Sequence, residues 1–186
     1  MPGVPPASFA YLGPEGTFTE EALRQLPAVS GAGALQPYQT VPAALDAVRR
    51  GMASAAMVPI ENSVEGAVPA TLDELATGEP LVITREVLLP VRFVLVARPG
   101  MTTEKVRSLA THPHAAAQCR AWVAANLPDA AFVPLASTAA AAAEVAGYEA
   151  YDAAIVAPLA AERYRLDVLA DDVGDHHDAV TRFILA

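Results

Sequence analysis

Cysteine occurs once in the 186 residues, at Cys119, so no intrachain disulfide can form and a reducing, cytoplasmic setting is expected. Lysine is equally scarce. Eleven of the twelve cations are arginine, Lys105 is the exception, and no basic cluster exceeds the pair Arg49–Arg50. Against 21 acidic residues this leaves a formal charge of −9. Nucleic acid and anionic membrane surfaces are thereby excluded as partners, because both need a basic face. No run of about 18 uncharged apolar residues occurs, so no membrane-spanning helix is expected. The opening MPGVPPASFAYLG has no basic segment leading into a long apolar run, so secretion is not expected either. Gly-x-Ser-x-Gly, GxGxxG, P-loop and HExxH patterns are all missing, which disfavours nucleotide cofactors and the common zinc hydrolases. Charged residues are only 18% of the chain, and Pro and Gly are spread along it, so no disordered tail or long linker is indicated.

What is abundant is apolar surface, 53% of residues, enough for one large domain or two small lobes. The chain alternates short apolar runs with helical patterns. SFAYLG, ALQPYQ and SAAMVPI read as strands. PEGTFTEEALRQL, VPAALDAVRRG and PATLDELATG read as helices, with Thr40 as a cap before Pro42 and with Gly51 and Gly78 at the exits. Three strand-then-helix steps predict a parallel sheet wrapped by helices. LVITREVLLPVRFVLVARPG then breaks the rhythm as a long β-rich run with no helix between its halves, the pattern of a chain crossing between lobes. The alternation resumes with SLATH, a helix over PHAAAQCRAWVAANL, then AFVPLA, STAAAAAEVAG, YDAAIVA and PLAAERY. TRFILA is a last strand, placed to return to the first sheet. The expectation is an α/β protein of two lobes, residues 1–88 with 171–186 and residues 89–170, with a central cleft for a small molecule.

Three strand-to-helix junctions, GPEGT, ENSVEG and AST, carry small or hydroxyl-bearing residues where unpaired N–H groups favour an anion. For GPEGT and AST ordinary capping explains the composition. ENSVEG is denser. Glu61, Asn62 and Ser63 bring more side-chain donors and acceptors than a plain turn needs. His176–His177 and His112-x-His114 suggest a metal, but neighbouring residues on an extended segment face opposite ways and no cysteine ligand is near, so no metal site is expected. Cys119, within an alanine-rich helix, reads as a small core filler.

Taken in order, YLGPEGTFTEEAL, VPIENSVEGAV with TLDEL, EVLLPV, HPHAAAQCRAW, STAAAAAEVA, AAIVAPLAAERYRL and TRFILA resemble the catalytic domain of the prephenate dehydratase family over nearly the whole chain. The resemblance implies a two-lobed fold of the periplasmic-binding-protein type II topology. It also implies prephenate as the small-molecule substrate, and loss of its ring hydroxyl and ring carboxylate to give phenylpyruvate, water and carbon dioxide without a cofactor. Carried over by motif, Thr181 donates to the departing hydroxyl, with Asn62, Ser63 and Gln118 as its partners in a water-poor network. Glu61 either orients that network or is structural. Ser137 and Thr138 suit one substrate carboxylate. Arg182 either holds the other or braces the lobes. Phe183 either packs on the ring or belongs to the last strand, the latter being preferred. The family tends toward dimers, so a homodimer is the oligomer the resemblance allows.

The chain departs from the family pattern at Arg92, where histidine is common, and at Asp178–Val180, where asparagine is common shortly before TRF. It ends five residues after Thr181, so the C-terminal ACT domain that binds phenylalanine in many members is not expected. The rivals are prephenate decarboxylase, whose members tend to lack the TRF threonine, arogenate dehydratase, and a non-catalytic binding module.

Overall fold

The structure, a computed structural model, describes residues 7–29, 34–147 and 150–186. The chain divides into two compact units. One holds the described residues up to Pro14 together with Phe18–Pro90 and Val180–Ala186, and the other holds Glu15–Thr17 and Val91–Ala179. Residues 171–179, counted with the first lobe from the sequence, thus group with the second.

In the first unit the expected strand–helix steps are β1 (Ser8–Leu12), α1 (Phe18–Arg24), β2 (Ala34–Tyr38), α2 (Val41–Arg49), β3 (Ala55–Asn62) and, after a two-residue β4 (Gly66–Ala67) that the sequence did not announce, α3 (Pro69–Thr77). β5 (Arg85–Pro90) follows, and the sheet runs β2-β1-β3 with parallel pairing. The returning C-terminal strand, Val180–Leu185, enters antiparallel between β3 and β5 and makes the sheet mixed. Its apolar alternation explains the insertion. Phe183 and Leu185 join Phe9, Tyr11, Met57 and α1 residues Ala22 and Leu23 on one face, while Ile184 and Ala186 join Val58 and α2 residues Ala44 and Leu45 on the other. Thr40 caps α2 as expected, its hydroxyl accepting from Ala43 N–H at 3.2 Å. β1 also ends in a tight approach: a Cβ on Gly13 would lie 2.7 Å from Pro37 Cβ, so only glycine fits there.

The second unit contains β6 (Val94–Ala97), β7 (Ser108–Thr111), α4 (Pro113–Gln118), α5 (Arg120–Asn126), β8 (Ala131–Pro134), α6 (Thr138–Gly147), β9 (Ala153–Val156), α7 (Pro158–Tyr164) and β10 (Asp167–Ala170). With these labels the C-terminal strand is β11. The sheet order is β10-β6-β9-β7-β8, over a core of Val94, Val96, Ala110, Val145, Val156 and the alanines of α6 and α7. β10 has no counterpart in the sequence reading; it pairs antiparallel with β6.

The single helix expected over PHAAAQCRAWVAANL is two helices. The chain leaves helical geometry at Cys119 (φ −119°, ψ 12°), and Asp175 caps the restart, its carboxylate accepting from the N–H groups of Ala121 at 2.9 Å and Trp122 at 3.0 Å. The Asp175 N–H in turn donates to the Gln118 carbonyl at 2.6 Å. Helical propensity alone would have run straight through; the break is held by a carboxylate more than fifty residues away.

Candidate active site

Three of the expected residues meet where the end of β3 pairs with the start of β11. The register sets Thr181 opposite Asn62, and the Asn62 side-chain amide donates to the Thr181 hydroxyl, Nδ2 to Oγ1 at 2.8 Å. The amide is not free to turn over. Its Oδ1 accepts from the backbone N–H groups of Val64 at 2.8 Å and Glu65 at 3.0 Å, closing the β3–β4 turn, so its NH₂ group is the one left for Thr181. Gly66, at φ 87°, supplies the left-handed step that lets the turn come back onto Asn62. One acceptor position of the threonine oxygen is thereby filled, and its proton is not used in this bond. Thr181 is 8% exposed, so that hydrogen bond works against little competition from water.

Ser63 continues the ladder. Its N–H donates to the Val180 carbonyl at 2.9 Å and its hydroxyl accepts from the Val180 N–H at 2.9 Å. The side chain therefore fastens the residue before Thr181, a task the sequence reading did not assign to it.

Glu61 and Arg182 stand opposite each other one step along, on the other face of the sheet from Thr181. Arg182 lies 3.7 Å from Glu61 and 3.3 Å from Glu86, all three about half exposed. Alternation along β11 is regular against β5, so the Arg182 guanidinium and the Thr181 hydroxyl leave the strand in opposite directions. Phe183 is 2% exposed and packed among Phe9, Tyr11 and Met57, which is the core role preferred from the sequence.

The remaining candidates belong to the second unit. Gln118 ends α4 and is buried. Ser137 precedes α6, its hydroxyl accepting from Ala140 N–H at 2.9 Å and its carbonyl from Ala141 N–H at 3.1 Å, and Thr138 opens the helix. Arg92, at the position of departure from the family, is ion-paired with Asp171 at 3.1 Å.

Cys119 is fully buried, and that burial, with the Asp175 carboxylate nearby, pushes its thiol up to about 12, which removes it as a nucleophile. His112 accepts from the His114 N–H through Nδ1 and His177 Nδ1 lies 3.1 Å from Asp172. Among the described residues no group of three His, Cys, Asp or Glu side chains is arranged to hold a metal, and no helix is long and apolar enough to cross a membrane. Sequence reasoning missed Asp175, which precedes the two histidines and carried no role of its own, and Thr71, which reads as one more helix residue. The only signal for Thr71 was its place in the TLDEL segment.

A family profile described as prephenate dehydratase matches residues 9–186. The chain is 55% identical over 176 residues to a prephenate dehydratase of Amycolatopsis methanolica, an alignment covering 95% of this chain and 56% of the relative. Among solved structures it is similar to prephenate dehydratase of Arthrobacter aurescens in complex with L-Phe, at 54% identity and a TM-score of 0.90, covering 96% of this chain and 59% of that one. It is also similar, at 33% identity and a TM-score of 0.79, to GqqA, described as a novel type of quorum quenching acylases, covering 95% and 62% of the two chains. In each case the chain spans less than two thirds of the relative's own length.

Proposed function

The chain belongs to the prephenate dehydratase family, and from that premise we propose that it converts prephenate to phenylpyruvate, water and carbon dioxide as a step toward phenylalanine. Its fold class is α/β, and the periplasmic-binding-protein type II topology is part of the same proposal. In the proposed reaction the bond from the ring to its carboxylate breaks and its electron pair enters the ring. The ring hydroxyl leaves with a proton as water, and aromatisation drives the whole. Hydroxide is a poor leaving group, so the task for the protein is a proton or a strong hydrogen bond placed on that oxygen.

The observation that carries this reading is the direction of the Asn62–Thr181 hydrogen bond. Because Asn62 Oδ1 is held by two backbone N–H groups, Asn62 donates, Thr181 accepts, and the threonine keeps its proton for another acceptor. A threonine hydroxyl is far too weak an acid to protonate the leaving group by matched pKa. A donor polarising its oxygen, in a site with little water, supports the role that pKa denies it. Thr181 regains its proton from solvent after each turnover. Ser63 serves the same end by holding Val180.

For Gln118, Ser137 and Thr138 the proposed roles come from the family motifs. Gln118 extends the polar network, and Ser137 with Thr138 binds a substrate carboxylate, the Ser137 hydroxyl still having a proton to give while its oxygen caps α6. Glu61 and Arg182 are assigned to bracing the β3–β11–β5 edge. The cytoplasmic setting and a homodimer are part of the same proposal.

The test is turnover of prephenate and of arogenate by the purified chain, followed by the ultraviolet absorption of an aromatic product. Thr181→Val should lower turnover of the preferred compound by about 10²- to 10⁴-fold with the fold intact. A non-aromatic, hydroxylated product would replace the dehydratase by a decarboxylase, and an unchanged rate would remove Thr181 from the mechanism.

A further inference from the structure

β3 carries one residue more than β11 between two well-paired stretches. Phe183 pairs with Pro59, but the next residue of β11, Arg182, pairs with Glu61, and Ile60 is left over as a bulge. This extra residue decides what faces Thr181. Continued without a bulge, the register would set Arg182 against Ile60 and Thr181 against Glu61, and Asn62 would move to the other face of the sheet.

The chemical difference is large. A carboxylate can only accept, so opposite Glu61 the Thr181 hydroxyl would spend its proton on its neighbour. Opposite Asn62 it accepts and keeps the proton.

The bulge is held from one side by the start of α3. The Ile60 carbonyl accepts from Val68 N–H at 2.9 Å, and the Pro59 carbonyl accepts from the Thr71 hydroxyl at 2.6 Å. Thr71 is fully buried and is the one buried residue of α3, a place where an aliphatic side chain would satisfy packing alone. A hydroxyl there is explained by the carbonyl it reaches.

We infer that Thr71 is a positioning residue: its hydroxyl holds the Pro59–Ile60 bulge, and the bulge sets the register that gives Thr181 a donor, Asn62, in place of an acceptor, Glu61. The inference rests on the dehydratase reading of Thr181 and Asn62. It concerns a residue that touches neither and acts on the reaction through them.

The experiment is a cycle of Thr71→Val with Asn62→Ala, with Thr71→Ser as the conservative variant, each assayed for kcat and KM on prephenate and for thermal midpoint. Thr71→Val should lower kcat about 5- to 20-fold, on the scale of one misplaced hydrogen bond, with KM within about 2-fold. Thr71→Ser should return kcat to within about 2-fold of the parent. In the Asn62→Ala background Thr71→Val should change kcat by less than about 2-fold, since the contact it positions is already gone, while its effect on the thermal midpoint persists. Should Thr71→Val fail to fold, Thr71→Cys, close in volume with only a weak donor, carries the same comparison.

A Thr71→Val enzyme as fast as the parent would overturn the inference, and so would the same fold-loss in both backgrounds, which marks a general structural effect. Failure of the dehydratase reading itself looks different: Asn62→Ala and Thr181→Val would then leave turnover unchanged before Thr71 is touched.

Discussion

Replacing Asn62 by Asp changes one atom pair and reverses one hydrogen bond. The carboxylate keeps the shape of the amide, and one of its oxygens can still accept from Val64 and Glu65 N–H at 2.8 and 3.0 Å, so the turn after β3 stays closed. The other oxygen now stands 2.8 Å from Thr181 Oγ1 where an N–H stood before. It can only accept, and the Thr181 proton turns inward. A hydrogen bond to a charged group is worth about 1.5–3 kcal/mol. The substrate's leaving oxygen would have to win the proton back against that amount, a loss of about 10- to 150-fold in rate. The loss belongs in kcat, because the bond to the departing oxygen strengthens as it leaves. Stability should move by less than about 1 kcal/mol, since both turn bonds survive. The assay is steady-state formation of the aromatic product, with a thermal melt of the same sample. An Asn62→Asp enzyme within about 3-fold of the parent in kcat would refute the claim that the direction of this hydrogen bond matters; a collapsed melt would refute the claim that the turn tolerates the change.

Three further outcomes test the surrounding structure. With its thiol pushed up to about 12, Cys119 should alkylate at pH 8 about 10³-fold more slowly in the native protein than in denaturant, and labelling at equal rates would contradict its burial. Arg49 sits almost buried between α2 and α3, bonding Asp46 at 3.0 Å, the Glu74 carboxylate at 2.7 Å and the Glu74 and Glu79 carbonyls at 2.9 and 3.1 Å. Arg49→Lys cannot reproduce that fork and should cost about 2–3 kcal/mol, a fall of about 4–12 °C in thermal midpoint, with an unchanged melt as the contrary result. Burial alone would raise the Asp152 carboxyl. The Arg107 and Ser108 N–H groups, the Ser108 hydroxyl and nearby Arg98 outweigh it and hold the group below the usual carboxylate range. Its stabilisation is therefore complete above the unfolded value of about 3.9 and is lost as pH falls through the lower folded value, so the gap in thermal midpoint between parent and Asp152→Ala should close in acid; a gap constant from pH 7 to pH 3 would show that the charge is not involved.

Most elements were legible because their signals are local. Thr40 before Val41–Pro42, the Pro-first starts of α3, α4 and α7, and the apolar runs of β1, β3, β6 and β9 each announce themselves within a few residues. What escaped has a distant cause. The helix over residues 113–127 is two because Asp175 caps its second half, and β10 exists because β6 offers it an edge. Arg182 was a candidate for the substrate from its motif, yet strand alternation turns it toward Glu61 and Glu86, on the face away from Thr181.

The candidate site divides along the same line. From sequence alone came the α/β class, the family, and the residue types gathered in ENS and TRF, because composition, periodicity and motif order are properties of the chain itself. Which of those residues face one another was decided in three dimensions. Asn62 and Thr181 are 119 positions apart and meet only because β11 inserts beside β3. They stand opposite each other because one extra residue at Ile60 shifts the register by one. A strand's own sequence specifies which side chains alternate, but not where its partner strand will stop; the packing of both faces limits that choice, and the proposed hold of the Thr71 hydroxyl on the Pro59 carbonyl would complete it.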